Sequence, residues 1–317
     1  MKLFCRVLSA IIAISLPTAV IVAQNTEVDS KIFQVKTNLL VLNEKNEYVS
    51  GVKGSDIKIF ENGVEQKLAS FAELDGTADI SLVIDNTLSV RSQLEDMIGI
   101  GQLIVSNLRP TDSASVIRFV DKSKISIEQT WTNSKQDLFE ALDNLFAESG
   151  GSAVIDALYL ASDDLIKRHK VKNRRYAIVL ISDAEDRSSY YSEKNLLKLL
   201  EGTPIQIFTI TLTKELPKNQ PSDGRKSVGA VVQFVHRLTS ATGGTSFVFQ
   251  QKSTVGDLKD AFKSLLVQLR SQYVFSYMAA NVNKDTNLRK LTIKIADGPN
   301  GEKRNAIMQD TVILPYR

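Results

Sequence analysis

The stretch ISLVIDNTLSV, residues 80–90, decides the fold of this chain. An apolar run with β-branched residues ends at Asp85, and two hydroxyl residues, Thr87 and Ser89, follow at alternate positions. A short apolar run of this kind is typical of a buried strand, and the charged residue indicates the edge of a sheet. Asp85 therefore has three interpretations: a catalytic nucleophile, a metal ligand, or the polar end of a buried strand.

Similar apolar strands alternate with helical patterns along the middle of the chain. Strands are predicted at 80–85, 114–120, 176–183 and 205–211, and helices around 91–108, 134–147, 153–169, 192–201, 228–241 and 254–270. This alternation predicts an α/β fold, in which helices cover both faces of a mostly parallel sheet. Such sheets bind ligands beyond the carboxyl ends of their strands, where both Asp85 and Asp183 fall.

The two ends of the chain have a different, strand-rich texture. The N-terminal segment, 24–76, has alternating runs around Asn62-Gly63, a strong hairpin signal because both residues tolerate positive φ. The C-terminal segment, 272–317, has similar runs separated by a turn rich in glycine and proline. Neither segment alone has enough strands for a stable sheet. We predict that they pair into one small β-sandwich that brackets the central domain, 77–271.

The first 23 residues have the pattern of a secretory signal peptide: two basic residues, an apolar run and a small residue at its end. A membrane anchor is the alternative interpretation. Removal of the leader takes away the one cysteine of the chain, and export without disulfides fits a bacterial envelope. No later run approaches the ~20 apolar residues of a membrane helix. We therefore predict a secreted or periplasmic protein without a membrane span after cleavage.

The charge balance argues against nucleic acid as a partner. The 317 residues include 39 basic and 36 acidic residues, a formal charge of +3. Two of the basic residues and no acid lie in the leader, so the remaining chain is close to +1. A nearly neutral chain has no electrostatic footprint for a phosphate backbone.

Three polar clusters are predicted to meet at one edge of the sheet. They are Asp85 with Thr87 and Ser89, then Ser152 after the paired glycines of SGGSAVIDA, and then Asp183 at the end of VLISD. A role as helix N-cap would by itself explain Ser152. Carboxylates and hydroxyls with no histidine or cysteine nearby make a site of hard oxygen ligands. Such a site suits one Mg²⁺, Mn²⁺ or Ca²⁺ ion and not zinc.

These motifs resemble those of the von Willebrand factor type A domain. The first motif of that family is Asp-x-Ser-x-Ser, which is Asp85-x-Thr87-x-Ser89 in this chain. The second is a threonine after paired glycines, where this chain has Ser152, and the third is an aspartate at the end of the central strand, matched by Asp183. Thr87 and Ser152 depart from the family pattern but keep the hydroxyl. More narrowly, the arrangement is similar to a group of bacterial secreted proteins with an A-type domain between flanking β segments.

The resemblance covers about residues 77–271 and implies a Rossmann-like domain with a metal-ion-dependent adhesion site. It implies a binding module and not an enzyme, in which a protein or peptide partner supplies an acidic group to the ion. By this resemblance one Mg²⁺-like ion is held by Asp85, Thr87, Ser89, Ser152 and Asp183.

Two other functions remain open. A Mg²⁺-dependent phosphohydrolase of the haloacid-dehalogenase type also has an apolar strand that ends in aspartate, in the pattern Asp-x-Asp-x-Thr. Thr87 replaces the second aspartate of that pattern, which removes the general acid. The other alternative is an envelope scaffold whose metal site stays empty.

Overall fold

The computed structural model describes residues 33–45, 47–168, 174–213, 227–250, 255–279, 288–308 and 311–313. The predicted leader lies outside these residues. The described strands are β1 (Phe33–Asn43), β2 (Ile57–Glu61), β3 (Val64–Gln66), β4 (Leu68–Asp75), β5 (Thr77–Asp85), β6 (Ser113–Phe119), β7 (Ile125–Thr132), β8 (Arg174–Ser182), β9 (Ile205–Thr213), β10 (Ser246–Gln250), β11 (Ser271–Ala279), β12 (Leu288–Ile295), β13 (Arg304–Met308) and β14 (Thr311–Ile313). The described α-helices are α1 (Leu94–Ser106), α2 (Lys135–Asp143), α3 (Val154–Arg168), α4 (Glu193–Leu200), α5 (Val228–Thr242) and α6 (Val255–Arg270).

The central domain is the predicted α/β fold. Its sheet has six strands in the order β10-β9-β8-β5-β6-β7, and only the edge strand β7 runs antiparallel to its neighbour. Side chains of α1, α2 and α6 pack in one apolar core, and those of α3, α4 and α5 pack in a second one. Because both faces are covered, β9 is buried at every position and β5 at all but its first.

The terminal segments form two antiparallel sheets, in the orders β13-β1-β11-β4 and β14-β12-β2-β3. Each sheet contains strands from both ends of the chain, as predicted, and one apolar core includes Leu39 and Ile59 from the N-terminal segment with Phe275 and Leu291 from the C-terminal one. The predicted hairpin at Asn62-Gly63 joins β2 to β3, with φ values of 49° and 82°. Both residues thus have the positive φ of a type I′ turn.

The two connections between the sandwich and the central domain lie side by side. One residue, Gly76, separates β4 from β5, and α6 runs into β11 without an intervening residue. The strands β4 and β11 pair, with Asp75 opposite Ser271. No helix in the described part of the chain is both long and apolar enough to cross a membrane.

The sheet order brings two predicted polar clusters to the same edge. Strands β5 and β8 are parallel neighbours, with Ile84 opposite Ile181. Asp85 therefore lies level with Ser182, and Asp183 follows directly after. This edge is the carboxyl edge of the sheet, where ligands of such folds bind.

Candidate metal centre

The Asp85 carboxylate is held by hydrogen bonds on both of its oxygens. Its side chain is fully buried at the end of β5. Oδ1 accepts from the backbone N–H of Thr87 at 2.9 Å and from the Thr87 hydroxyl at 2.7 Å, while Oδ2 accepts from the Ser182 hydroxyl at 2.6 Å. The orientation of the carboxylate is therefore fixed before any ion binds.

Burial raises the pKa of the Asp85 carboxyl from 3.8 to about 7. The negative charge of Asp183 contributes to this rise in the pKa, and the hydrogen bonds from Ser182 and Thr87 oppose it. Two carboxylates thus share a poorly solvated edge of the sheet. A cation near both would favour their charged forms, because an opposite charge within a few ångströms lowers the pKa of a carboxyl.

A chain of hydroxyls connects the two carboxylates. The Thr87 and Ser89 hydroxyl oxygens lie 2.7 Å apart, and the Ser89 hydroxyl donates to Asp183 Oδ2 at 3.3 Å. When Thr87 donates to Asp85 and Ser89 to Asp183, no hydroxyl proton remains for the contact between the two hydroxyl oxygens. In that arrangement both hydroxyl oxygens can turn a lone pair toward a cation. Neighbouring ligands of an octahedral Mg²⁺ with bonds of ~2.1 Å lie about 3 Å apart, close to the observed spacing.

Ser152 has a strained backbone and an unpaired hydroxyl. Its φ is 34°, an uncommon value for a residue other than glycine, and its carbonyl accepts from the backbone N–H groups of Arg187 and Ser188 at 2.9 and 3.0 Å. The Ser152 Oγ is buried and has no hydrogen-bond partner among the residues that the structure describes. An unpaired buried hydroxyl costs about 1–3 kcal/mol, and coordination of an ion would satisfy it.

The N-terminus of α3 is capped from another loop and not by Ser152. The helix begins at Val154. The backbone N–H of Ile155 donates to Asp186 Oδ1 at 3.1 Å, and that of Asp156 donates to the Ser189 hydroxyl at 3.1 Å. The structure therefore does not support the N-cap explanation of Ser152, and the serine hydroxyl stays available to the site.

The loop after β8 turns sharply at Ala184. Its φ is 56°, and its backbone N–H donates to the Ser182 hydroxyl at 2.8 Å. The N–H of Glu185 donates to Asp183 Oδ1 at 3.1 Å. Ser182 thus links this turn to Asp85. Sequence analysis missed Ser182, although a hydroxyl residue at the end of an apolar strand, directly before Asp183, was a usable signal.

Backbone bonds join the first loop of the site to the loop that carries Ser152. The N–H of Leu88 donates to the carbonyl of Glu148 at 2.9 Å, and the N–H of Glu148 donates to the carbonyl of Asn86 at 2.7 Å. Gly150 is packed closely against the loop that follows β6, since a Cβ at this position would be 2.5 Å from Val120 Cγ1. Glycine is needed at this position for the loop to approach the sheet.

The structure brings all five predicted site residues to the loops at one edge of the sheet. Among the described residues, no three histidine, cysteine, aspartate or glutamate side chains lie close enough together to hold a metal ion. Carboxylates alone therefore do not make this site. An ion here would need the hydroxyl oxygens of Thr87, Ser89 and Ser152 as ligands, and these are hard donors of the kind that Mg²⁺ accepts.

Residues 80–185 match the family model of the von Willebrand factor type A domain. No curated protein sequence matches the chain. Together with the sheet order and the three motifs of the chain, this match shows that the chain contains a von Willebrand factor type A domain.

Several solved structures are similar to the chain. BatB from Bacteroides thetaiotaomicron is 13% identical, with coverage of 60% of this chain and 99% of BatB and a TM-score of 0.45. A von Willebrand factor type A protein from Catenulispora acidiphila is 10% identical over 89% of this chain and 76% of that one, at a TM-score of 0.48. Proximal thread matrix protein 1 from the mussel byssus, in a form with a zinc-occupied MIDAS motif, is 17% identical to this chain. The match covers 67% of this chain and 50% of that one, with a TM-score of 0.47. These low identities and TM-scores carry no information on function.

Proposed function

We propose that the protein is a metal-dependent protein-binding module of the bacterial cell envelope. The observation that carries this proposal is the unpaired, buried hydroxyl of Ser152 at the same sheet edge as the Thr87 and Ser89 hydroxyl pair. Type A domains are commonly protein-binding, which agrees with a site that lies in loops at the surface of a rigid sheet.

In this proposal one Mg²⁺-like ion is held by five residues. Thr87, Ser89 and Ser152 contribute neutral hydroxyl oxygens, while Asp85 and Asp183 balance the charge of the ion and keep the first two hydroxyls oriented. Bound there, the ion supplies a positive centre with an open coordination position. Because most ligands are neutral, that position favours an anionic oxygen from outside, and a carboxylate of a protein or peptide partner supplies one.

The alternative phosphohydrolase needs an aspartate that attacks phosphorus. Asp85 is fully buried, and each of its carboxylate oxygens already accepts a hydrogen bond. Thr87 stands where the general acid of that family would be and has no proton to release near neutral pH. Both observations favour binding over phosphoryl transfer.

The proposed location is the periplasm or the outside of the cell. It is supported by the pattern of the first 23 residues and by the absence of cysteine from the rest of the chain. We also propose the boundaries 24–76 and 272–317 for the flanking β segments and 77–271 for the central domain.

Isothermal titration calorimetry of the protein with Mg²⁺ and Mn²⁺ tests the metal site. We expect one ion per chain, and loss of that binding in Asp85→Ala. Asp297→Ala is the matched control, because Asp297 is an exposed aspartate in the turn between β12 and β13, where it pairs with Lys303. Wild-type protein that binds neither ion would refute the proposal. Turnover of p-nitrophenyl phosphate in Mg²⁺ that is lost in Asp85→Ala would instead favour the phosphohydrolase.

A further inference from the structure

The loops that carry the candidate metal centre also carry large apolar side chains that are exposed to solvent. In the described part of the chain, ten large hydrophobic side chains are exposed, and four of these lie in the three loops that carry the site. We call these four side chains the apolar rim: Leu88 (48% exposed), Phe146 (57%), Tyr190 (80%) and Tyr191 (36%). Clustered exposed apolar side chains mark interaction surfaces, whereas single ones need no explanation.

The tyrosines of the apolar rim are held in place by a buried acid. The backbone N–H groups of Tyr190 and Tyr191 donate to the two carboxylate oxygens of Asp156 at 2.7 and 2.8 Å, and Asp156 is buried in the first turn of α3. The Tyr191 ring also stacks on Tyr159, with centroids 3.8 Å apart. A rigid aromatic side chain loses little conformational entropy on binding, so this loop is built to present Tyr190.

The other half of the apolar rim is fixed by backbone and side-chain bonds. Leu88 lies between the two hydroxyl residues of the first motif, and its N–H bonds to Glu148. The carbonyl of Phe146 accepts from the Asn86 side chain at 3.0 Å, and the guanidinium of Arg118 lies 4.8 Å from the centre of the Phe146 ring. Thus the apolar side chains come from the same loops as the proposed ligands, and Leu88 is the chain neighbour of both Thr87 and Ser89.

We propose that the apolar rim and the ion together recognise a segment of a partner protein in which an acidic residue is adjacent to an aromatic or aliphatic one. This inference rests on the proposed function of the site. An ion held at the site would favour an anionic oxygen, and the apolar rim offers apolar surface in the loops that carry its proposed ligands. A partner with an isolated acid would leave the rim exposed, while an apolar partner without an acid would leave the ion unsatisfied.

A competition between short peptides tests this inference. The probes are the N-acetyl amides of Asp-Phe, Phe-Asp and Asp-Gly, titrated into the protein with saturating Mg²⁺ or with EDTA and followed by NMR chemical shifts. We expect one of the phenylalanine peptides to bind about tenfold more tightly than the Asp-Gly peptide, because it buries apolar area on the rim. Binding of all three is expected to be lost in EDTA.

Variants of the apolar rim test whether its side chains cause the preference for a phenylalanine peptide over the Asp-Gly peptide. Tyr190→Ser and Leu88→Ala are expected to reduce the advantage of the phenylalanine peptide to within about twofold of the Asp-Gly peptide. Leu103→Ala is the matched control, since Leu103 is also 48% exposed but lies on α1, near its C-terminal end. It is expected to keep the full preference. The Mg²⁺ affinity of each variant is measured by calorimetry. This distinguishes weaker peptide binding caused by loss of the ion from weaker binding caused by loss of apolar contacts.

The failures of the two proposals are distinguishable. Protein that binds Mg²⁺ and all three peptides equally would overturn the inference about the rim and leave the proposed function standing, whereas protein that binds no divalent ion would overturn both. Mg²⁺ binding without binding of any peptide would also overturn the inference. A dimer of the wild-type protein that dissociates in the Tyr190→Ser variant would also overturn the inference, because the apolar rim would then bind a second copy of the chain. Binding to anionic vesicles in EDTA that the same substitution abolishes would equally overturn it.

Discussion

The hydroxyl of Ser89 donates to Asp183 Oδ2 at 3.3 Å, and this contact joins two loops whose residues are 94 positions apart in the chain. Ser89 also lies 2.7 Å from the Thr87 hydroxyl, which in turn bonds to Asp85. The two carboxylates of the site are therefore connected by two hydroxyls. An ion placed against those hydroxyls would be close to both negative charges.

Removal of the Thr87 hydroxyl is expected to weaken metal binding strongly. Thr87→Val keeps the shape of the side chain but removes one ligand and one donor to Asp85, so we expect the Mg²⁺ affinity to fall at least about tenfold. Thr87→Ser keeps the hydroxyl and is expected to bind Mg²⁺ within a few-fold of wild type. Calorimetric titration of both variants checks this. Equal Mg²⁺ affinity of Thr87→Val and wild type would exclude the Thr87 hydroxyl as a ligand.

The Ser152 hydroxyl is expected to matter for metal affinity and not for the stability of the metal-free protein. It makes no hydrogen bond to the described part of the chain, so Ser152→Ala removes a polar group that lacks a partner there. We expect a loss of Mg²⁺ affinity of about tenfold or more, with a melting temperature in EDTA no lower than that of wild type. Ser152→Gly loses the same hydroxyl but relaxes the φ of 34° and is expected to melt higher than Ser152→Ala. A lower melting temperature of Ser152→Ala in EDTA would mean that the hydroxyl has a structural role.

The contribution of Asp85 to the stability of the metal-free protein is expected to fall as pH rises from about 4 to 7. The pKa of Asp85 is about 7 in the folded protein against an ordinary value of 3.8, so the folded state binds more protons than the unfolded state over this interval. The free energy of unfolding then decreases as pH rises, and the loss of stability caused by Asp85 is complete above pH 7. Asp85→Asn has no carboxyl to titrate, and its amide keeps acceptors for Thr87 and a donor toward Ser182.

The measurement is the melting temperature in EDTA at several pH values. The decline between pH 4.5 and 7.5 is expected to be smaller in Asp85→Asn than in wild type. Mg²⁺ is expected to raise the wild-type melting temperature more at pH 7.5 than at pH 5, because protons compete with the ion for Asp85. Parallel pH curves for the two proteins in EDTA would contradict the assignment of a raised pKa to Asp85.

Asp186 is expected to stabilise α3 and to have little influence on the ion. Its Oδ1 accepts from the N–H of Ile155 and from the Ser189 hydroxyl. Asp186→Ala removes this cap, so we expect a loss of about 1 kcal/mol in the free energy of unfolding. Asp186→Asn keeps an acceptor oxygen and is expected to lose less. Urea unfolding checks the stability of each variant. A Mg²⁺ affinity that falls tenfold in Asp186→Asn would contradict this and place Asp186 in the metal centre.

The fold followed from patterns that are local in the sequence. Alternating strands and helices predicted the parallel sheet because each apolar strand, such as 80–85, must be covered on both faces. The Asn62-Gly63 turn could be predicted because the φ values of 49° and 82° depend on those two residues alone. The terminal segments pair as predicted, but each supplies four strands in the described part of the chain, β1–β4 and β11–β14, so a shortage of strands does not explain the pairing.

Parts of the site could not be predicted because they depend on contacts between distant residues. The bond from Ser182 to Asp85 spans 97 positions and exists only because β5 and β8 are neighbours with a particular register. The cap of α3 by Asp186 depends in the same way on how the loop after β8 folds back over the helix. The positive φ of Ser152 also has no local signal, since serine rarely adopts it.

The most direct test of the central claim is the anomalous scattering of Mn²⁺ in crystals of the protein. We expect one strong peak within about 2.3 Å of the hydroxyl oxygens of Thr87, Ser89 and Ser152, a little beyond the bond lengths of Mg²⁺ to oxygen. Crystals of Thr87→Val grown in the same Mn²⁺ concentration are expected to lack this peak. A wild-type crystal with no peak at these three hydroxyls, or with Mn²⁺ bound only elsewhere, would contradict the account.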